Sequence, residues 1–156
     1  MDLRYLLLVA HLGLIFTGVV VAWGPLIPVW IAFGSGHLGL VRATSSIALR
    51  LGNVFPIFYM SGGLFGLLTA IAFGKDLLAP WLVIAYVLFA IATVSGIRWT
   101  GPHLAEIAKL ASEAPDGPIP TPLAMLFTSS AAKALWAFDV ALVFVIVFDM
   151  VVKPFS

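Results

Sequence analysis

Tyr5–Ala22, YLLLVAHLGLIFTGVVVA, decides the fold. It contains no Asp, Glu, Lys or Arg, and the charge-free run continues to Val41. A helix of about 20 apolar residues crosses a bilayer, so this stretch reads as a membrane span. One ionisable side chain, His11, sits near its middle. A polar group at that depth is expensive and needs a partner or a task.

The whole chain agrees with this stretch. Its 156 residues are 62% apolar and only 10% charged, against roughly 25% charged in soluble domains, and the mean hydropathy is +1.14. This is the composition of an integral membrane protein whose first partner is the lipid bilayer. A net charge of +1 on scattered basic residues leaves no electrostatic footprint for nucleic acid. With no cysteine there is no disulfide, thiolate ligand or thiol nucleophile. Arg4 precedes the first apolar run as in a signal peptide, but the run passes Gly18 into Val19-Val20-Val21 without a small-x-small cleavage site. It is therefore read as a retained first helix.

Working outward, Gly24-Pro25 and Pro28 predict a break in helix 1, with apolar sequence continuing to Gly34-Ser35-Gly36. A kinked helix is favoured over a span followed by an interfacial segment. Thr44-Ser45-Ser46 offers capping side chains for helix 2, whose uncharged part runs to Gly74. Lys75-Asp76 is a turn, Leu77–Ile97 a third span, and Gly101-Pro102 a further kink before a periodic segment from His103 to Leu110. The four prolines of Ala114–Pro122 predict a loop, and the last span starts near Ser130 and stops at Pro154.

These segments predict one all-α domain over 1–156, with spans at approximately 3–23, 51–74, 77–98 and 130–152. The expected arrangement is an integral membrane four-helix up-down-up-down bundle, with helices extending beyond the bilayer on one side. Arg42, Arg50, Arg98, Lys109 and Lys133 fall on the side of the 1–2 and 3–4 loops, and Arg4, Lys75 and Lys153 on the other. The positive-inside rule then puts both termini outside a bacterial inner membrane. Gly62, Gly66 and Ala70 make a small-residue stripe that suits packing inside the bundle or, alternatively, a homo-oligomer face.

Three groups of residues carry candidate chemistry. Asp139 lies about 9 Å deeper than Lys133 along helix 4; a structural link to Arg50 or Arg98 is the first reading, proton relay or substrate binding the second. Trp136, on nearly the same face, brings an N–H donor. Asp149 reads as an ion pair with Lys153 or as a hydrated group. His11 reads as a neutral histidine bonded across to another helix, or as an axial ligand to a b-type haem or other porphyrin. His37, His103 and Glu106 fall on one membrane side and make a candidate divalent-metal set. No GxSxG, Walker or HExxH motif argues for an enzyme.

Leu7-Leu8-Val9-Ala10-His11-Leu12-Gly13, Arg50, Trp81 with Ala85-Tyr86, and Gly101-Pro102 resemble an uncharacterised bacterial family of four-helix integral membrane proteins. More distantly, the chain is similar to the membrane domain of copper-resistance protein D and to the small multi-span protoporphyrinogen oxidases of bacteria. That second resemblance implies a haem- or metal-ligating role for His11. Three functional expectations result: an accessory or structural membrane component, alone, oligomeric or part of a larger complex; a haem- or porphyrin-associated redox protein using His11; and a small proton-coupled transporter using Asp139.

Overall fold

A computed structural model describes residues 2–153, and all regular structure among them is helical. Helix α1 (Leu3–Trp23) is capped by Asp2, whose carboxylate accepts from the Arg4 backbone N–H at 3.0 Å and from its guanidinium at 2.6 and 2.9 Å. The guanidinium bond holds the Asp2 carboxyl below its ordinary range. Gly24 and Pro25 keep helical angles but open a new helix, α2 (Leu26–Gly34), at the expected kink. A Cβ on Gly24 would stand 2.6 Å from the Val20 carbonyl oxygen, so the bend requires glycine.

Helix α3 (Leu38–Gly52) begins well before the expected start at Thr44. The left-handed Gly36 (φ +73°) and the extended His37 turn the chain directly into the helix. The Thr44 hydroxyl donates to the Leu40 carbonyl at 2.8 Å and that of Ser45 to Arg42 at 3.3 Å, so both back-bond inside the helix instead of capping it. Gly34-Ser35-Gly36-His37-Leu38-Gly39 has dinucleotide-fingerprint spacing. It joins two helices with no strand before it, so it lacks the context the fingerprint requires.

Helix α4 (Phe55–Ala72) carries Pro56 in its first turn. Helix α5 (Pro80–Ser95) starts at Pro80, later than the expected Leu77, because the Asp76 carboxylate accepts the Leu78 N–H at 2.9 Å and holds a turn there. A π-helical turn (Gly96–Thr100) then leads into α6 (Gly101–Glu113). The expected loop to Pro122 ends early: α7 (Thr121–Thr128) starts at Thr121, with Pro122 in its first turn, where no N–H is needed. Ser129 caps α8 (Ser130–Val152), accepting from the Ala132 N–H at 3.2 Å. The expected stop at Pro154 lies outside the described residues.

Among the described residues, four helical stretches are long and apolar enough to cross a membrane: Leu3–Gly34, Leu38–Ala72, Pro80–Glu113 and Ser130–Val152. Each of the first three joins a longer helix to a shorter one across a Gly/Pro break.

Packing divides the helices the same way. The shorter ones, α2, α3, α6 and α7, share one core in which Val29, Val41, Ile107, Leu123 and Phe127 are at most 2% exposed. Phe127 stacks on Phe33 at 4.2 Å and meets Trp30 edge-on at 5.2 Å. Each such side chain stabilises by about 1.5–3 kcal/mol when buried from water. Arg42 fastens the end of α6, donating to the carbonyls of Ala111 at 3.0 Å and Ala114 at 2.8 Å and pairing with Asp116 at 3.1 Å.

The longer helices pack in antiparallel pairs. Along α1 and α4, Tyr5 meets Phe73 edge-on at 5.7 Å, His11 lies on Gly66, Ile15 on Gly62, and Gly18 beneath Phe55 and Phe58. Gly62 and Gly66, two of the three residues of the expected small-residue stripe, thus face α1. In the second pair, Ser95 and Thr100 meet Asp139 of α8, while Trp81 of α5 packs near Met150. Buried positions in this half are mostly small: Gly18, Gly62, Ala70, Ala85 and Ala132.

Candidate functional site

Pro102 has no N–H to offer the Arg98 carbonyl, and a proline ring crowds the carbonyl four residues back. The chain answers with the π-helical turn, in which Gly101 N–H bonds back to Gly96 O. A Cβ on Gly101 would lie 2.8 Å from that oxygen, so glycine is needed there too. The turn has a chemical consequence. At 3.6 residues per turn, Ser95 and Thr100 would sit about 140° apart, but the wider winding brings both hydroxyls to one carboxylate. Ser95 donates to Asp139 Oδ1 at 2.8 Å and Thr100 to Oδ2 at 2.6 Å.

Asp139 also lines a cavity of about 620 Å³ between the two long-helix pairs, beside the Gly/Pro breaks. That volume falls within the range of about 300–1,000 Å³ typical of small-molecule sites. The walls are largely apolar, from α1 (Val19, Trp23), α4 (Phe55, Tyr59), α5 (Ala92) and α8 (Leu142). No Lys, Arg or His stands among its lining residues. Tyr59 closes one side: its ring stacks on Phe89 at 4.2 Å and its hydroxyl donates to the Phe89 carbonyl at 3.2 Å.

The arginine link expected for Asp139 does not form. Arg50 and Arg98 are exposed, and the ion pairs among the described residues are Arg4–Asp2 and Arg42–Asp116. Each carboxylate oxygen instead accepts from one hydroxyl of the facing segment, and Arg98 of the π-helical turn is exposed. Trp136 lines the same cavity, yet its indole N–H is shut off from solvent and has no hydrogen-bond partner. Its ring stands edge-to-face with Trp30 at 6.3 Å and His103 at 5.7 Å, which ties α8 to the short-helix core rather than to Asp139.

His11 Nδ1 lies 2.7 Å from the Gly62 carbonyl oxygen. A carbonyl only accepts, so this nitrogen carries the proton. The imidazole rests in the groove that Gly66 leaves on α4, where a Cβ would come within 2.8 Å of the ring, and it does not line the cavity. The bond to Gly62 leaves Nε2 as the ring nitrogen with no hydrogen-bond partner among the described residues, on a half-buried side chain at a helix-packing contact.

The three candidate metal ligands are not brought together. His37 Nδ1 donates to the Ser35 carbonyl at 2.9 Å in its own turn, and His103 Nε2 to the Leu126 carbonyl at 3.0 Å, while Glu106 is exposed. Among the described residues no group of three or more such side chains is placed to hold a metal ion. The Asp149–Lys153 ion pair is also not formed. The Lys153 ammonium lies 5.3 Å from the Trp81 ring centroid, and Asp149, 2% exposed, has no hydrogen-bond partner among the described residues.

Sequence reasoning missed Ser95 and Thr100. Hydroxyls five residues apart share no helical face, and only Gly101-Pro102, read as a kink, hinted at altered winding. No protein-family model, no curated protein and no solved structure matches this chain.

Proposed function

We propose that this chain is a non-enzymatic multi-pass component of a bacterial inner membrane that works as a small proton-coupled carrier. In this reading α1, α4, α5 and α8 form an up-down-up-down bundle in the bilayer, and the short-helix cluster projects into the cytoplasm with both termini outside. The excess of Lys and Arg on the cluster's side supports that orientation. One observation carries the function: a carboxylate in an apolar cavity of ligand size, held by two hydroxyls and faced by no cation. Ionisable residues within membrane spans face a bundle interior or a cavity and mark substrate or proton pathways. Nothing about the His11 surroundings favours the haem reading over this one.

The test is native mass spectrometry of the detergent-purified protein, followed by proton flux in liposomes. A small molecule bound to the wild type and absent from Gly96→Phe is expected, because Gly96 lines the cavity and a Cβ there meets open space. Asp139→Asn is expected to keep its fold and lose ligand-dependent proton movement. Unchanged proton movement in Asp139→Asn, or the same bound molecule in Gly96→Phe, would overturn the reading.

A further inference from the structure

Resting on that reading, we infer that the cavity selects a lipophilic organic cation: one positive charge on an apolar body, seated against Asp139. Three features of the wall lead there. The first is charge. Asp139 is the sole Asp, Glu, Lys, Arg or His among the lining residues, so its negative charge has no counter-ion in the cavity. Ser95 and Thr100 hydroxyls hold both oxygens in place by donating to them, but they bring no positive charge.

The second feature is aromatic. Trp23, Phe55, Tyr59 and Trp136 contribute to the same wall. Ring faces attract a cation, most strongly one that sheds water easily, and such clusters recognise quaternary ammonium groups. The third is shape: about 620 Å³ of mostly apolar space suits a bulky apolar body. An anion meets the carboxylate at close range with no lysine or arginine to offset it. A neutral apolar molecule fits the space but leaves the carboxylate uncompensated in a poorly solvated site.

Cation and proton compete for one carboxylate, which is the chemistry an exchanger requires. The other groups facing Asp139 from packed elements are the hydroxyls of Ser95 and Thr100. Around the remaining wall, Tyr59 is the other titratable group and Trp136 adds a ring.

The experiment uses three probes of related shape: tetraphenylphosphonium, its anionic counterpart tetraphenylborate, and neutral triphenylphosphine oxide. Binding to the full chain in detergent is measured by equilibrium dialysis, with Gly96→Phe as the filled-cavity control for micelle partitioning. The wild type is expected to bind the phosphonium at least about tenfold more tightly than the borate, a factor equivalent to about 1.4 kcal/mol. Asp139→Asn should erase that preference while keeping the neutral probe, and Asp139→Glu should restore part of it.

Equal affinity for the two ions, or phosphonium binding unchanged in Asp139→Asn, would overturn the inference. If only the neutral probe binds, and Gly96→Phe abolishes it, the cavity reading stands and the cation assignment falls. If none of the three binds beyond the filled-cavity control, both fall together. Circular dichroism of each variant, with the neutral probe as internal control, separates lost binding from lost fold.

Discussion

The short-helix cluster and the long-helix pairs are built from one apolar chain but solve different packing problems. In the cluster, Phe127, Ile107, Leu123, Val29 and Val41 interlock with almost no exposure. Among the long helices, Phe16, Phe144, Phe148 and Leu64 are more than half exposed, and the contacts are made through Gly18, Gly62 and Gly66. Removal from water can drive the first arrangement. The second needs another solvent: lipid is as apolar as leucine, so helices there associate through close backbone approach and a few polar bonds. A cavity survives between the long-helix pairs because no aqueous penalty forces them shut, and Asp139 lies in that gap.

The sharpest way to break this contrast is to make one truncation in each half. Phe127→Ala is expected to destabilise by about 3–5 kcal/mol, as core aromatic truncations do, read as a lowered unfolding midpoint in detergent. Its counterpart, Phe144→Ala, removes the same ring from a side chain 71% exposed and is expected to stay within about 0.5 kcal/mol. Equal losses at the two positions would end the distinction.

Effects of intermediate size sharpen the account of how the long helices meet. Gly101→Ala would place a methyl group 2.8 Å from a backbone oxygen that cannot rotate away. A loss of about 1–3 kcal/mol is expected, together with weaker phosphonium binding, because Ser95 and Thr100 no longer converge on Asp139. Gly66→Ala meets the flexible His11 ring instead, and should lie at the lower end of that range without touching the cavity. His11→Ala, which removes one hydrogen bond to the Gly62 carbonyl, is expected to lower stability by about 0.6 kcal/mol, the average for interhelical bonds in a membrane protein.

How much of this was legible in the sequence differs between the two halves. The long helices follow from their apolar runs, and the bends fall at Gly24-Pro25 and Gly101-Pro102 where proline chemistry puts them. The short-helix cluster was harder to see. α7 hides among prolines that read as a loop, although Pro122 occupies a first turn, and Thr44-Ser45 looks like a cap while bonding back within α3. At the site, Asp139 stood out because a carboxylate so deep needs an explanation. Its partners did not, since arginine is the expected answer to a buried charge and a π-helical turn cannot be read from periodicity. The cavity depends on how the helix pairs splay, which no local pattern encodes.

The central claim, that the cluster faces water while the long helices face lipid, is open to one direct measurement, because the chain has no native cysteine. Single cysteines would be introduced by Ser46→Cys in α3 and by Phe16→Cys and Phe144→Cys in α1 and α8, all at exposed positions. Each is then treated with a membrane-impermeant maleimide in opened membrane vesicles. The account predicts rapid labelling of Ser46→Cys and none of the other two until detergent dissolves the bilayer. Labelling of Phe16→Cys or Phe144→Cys at the rate of Ser46→Cys in intact bilayer would contradict it.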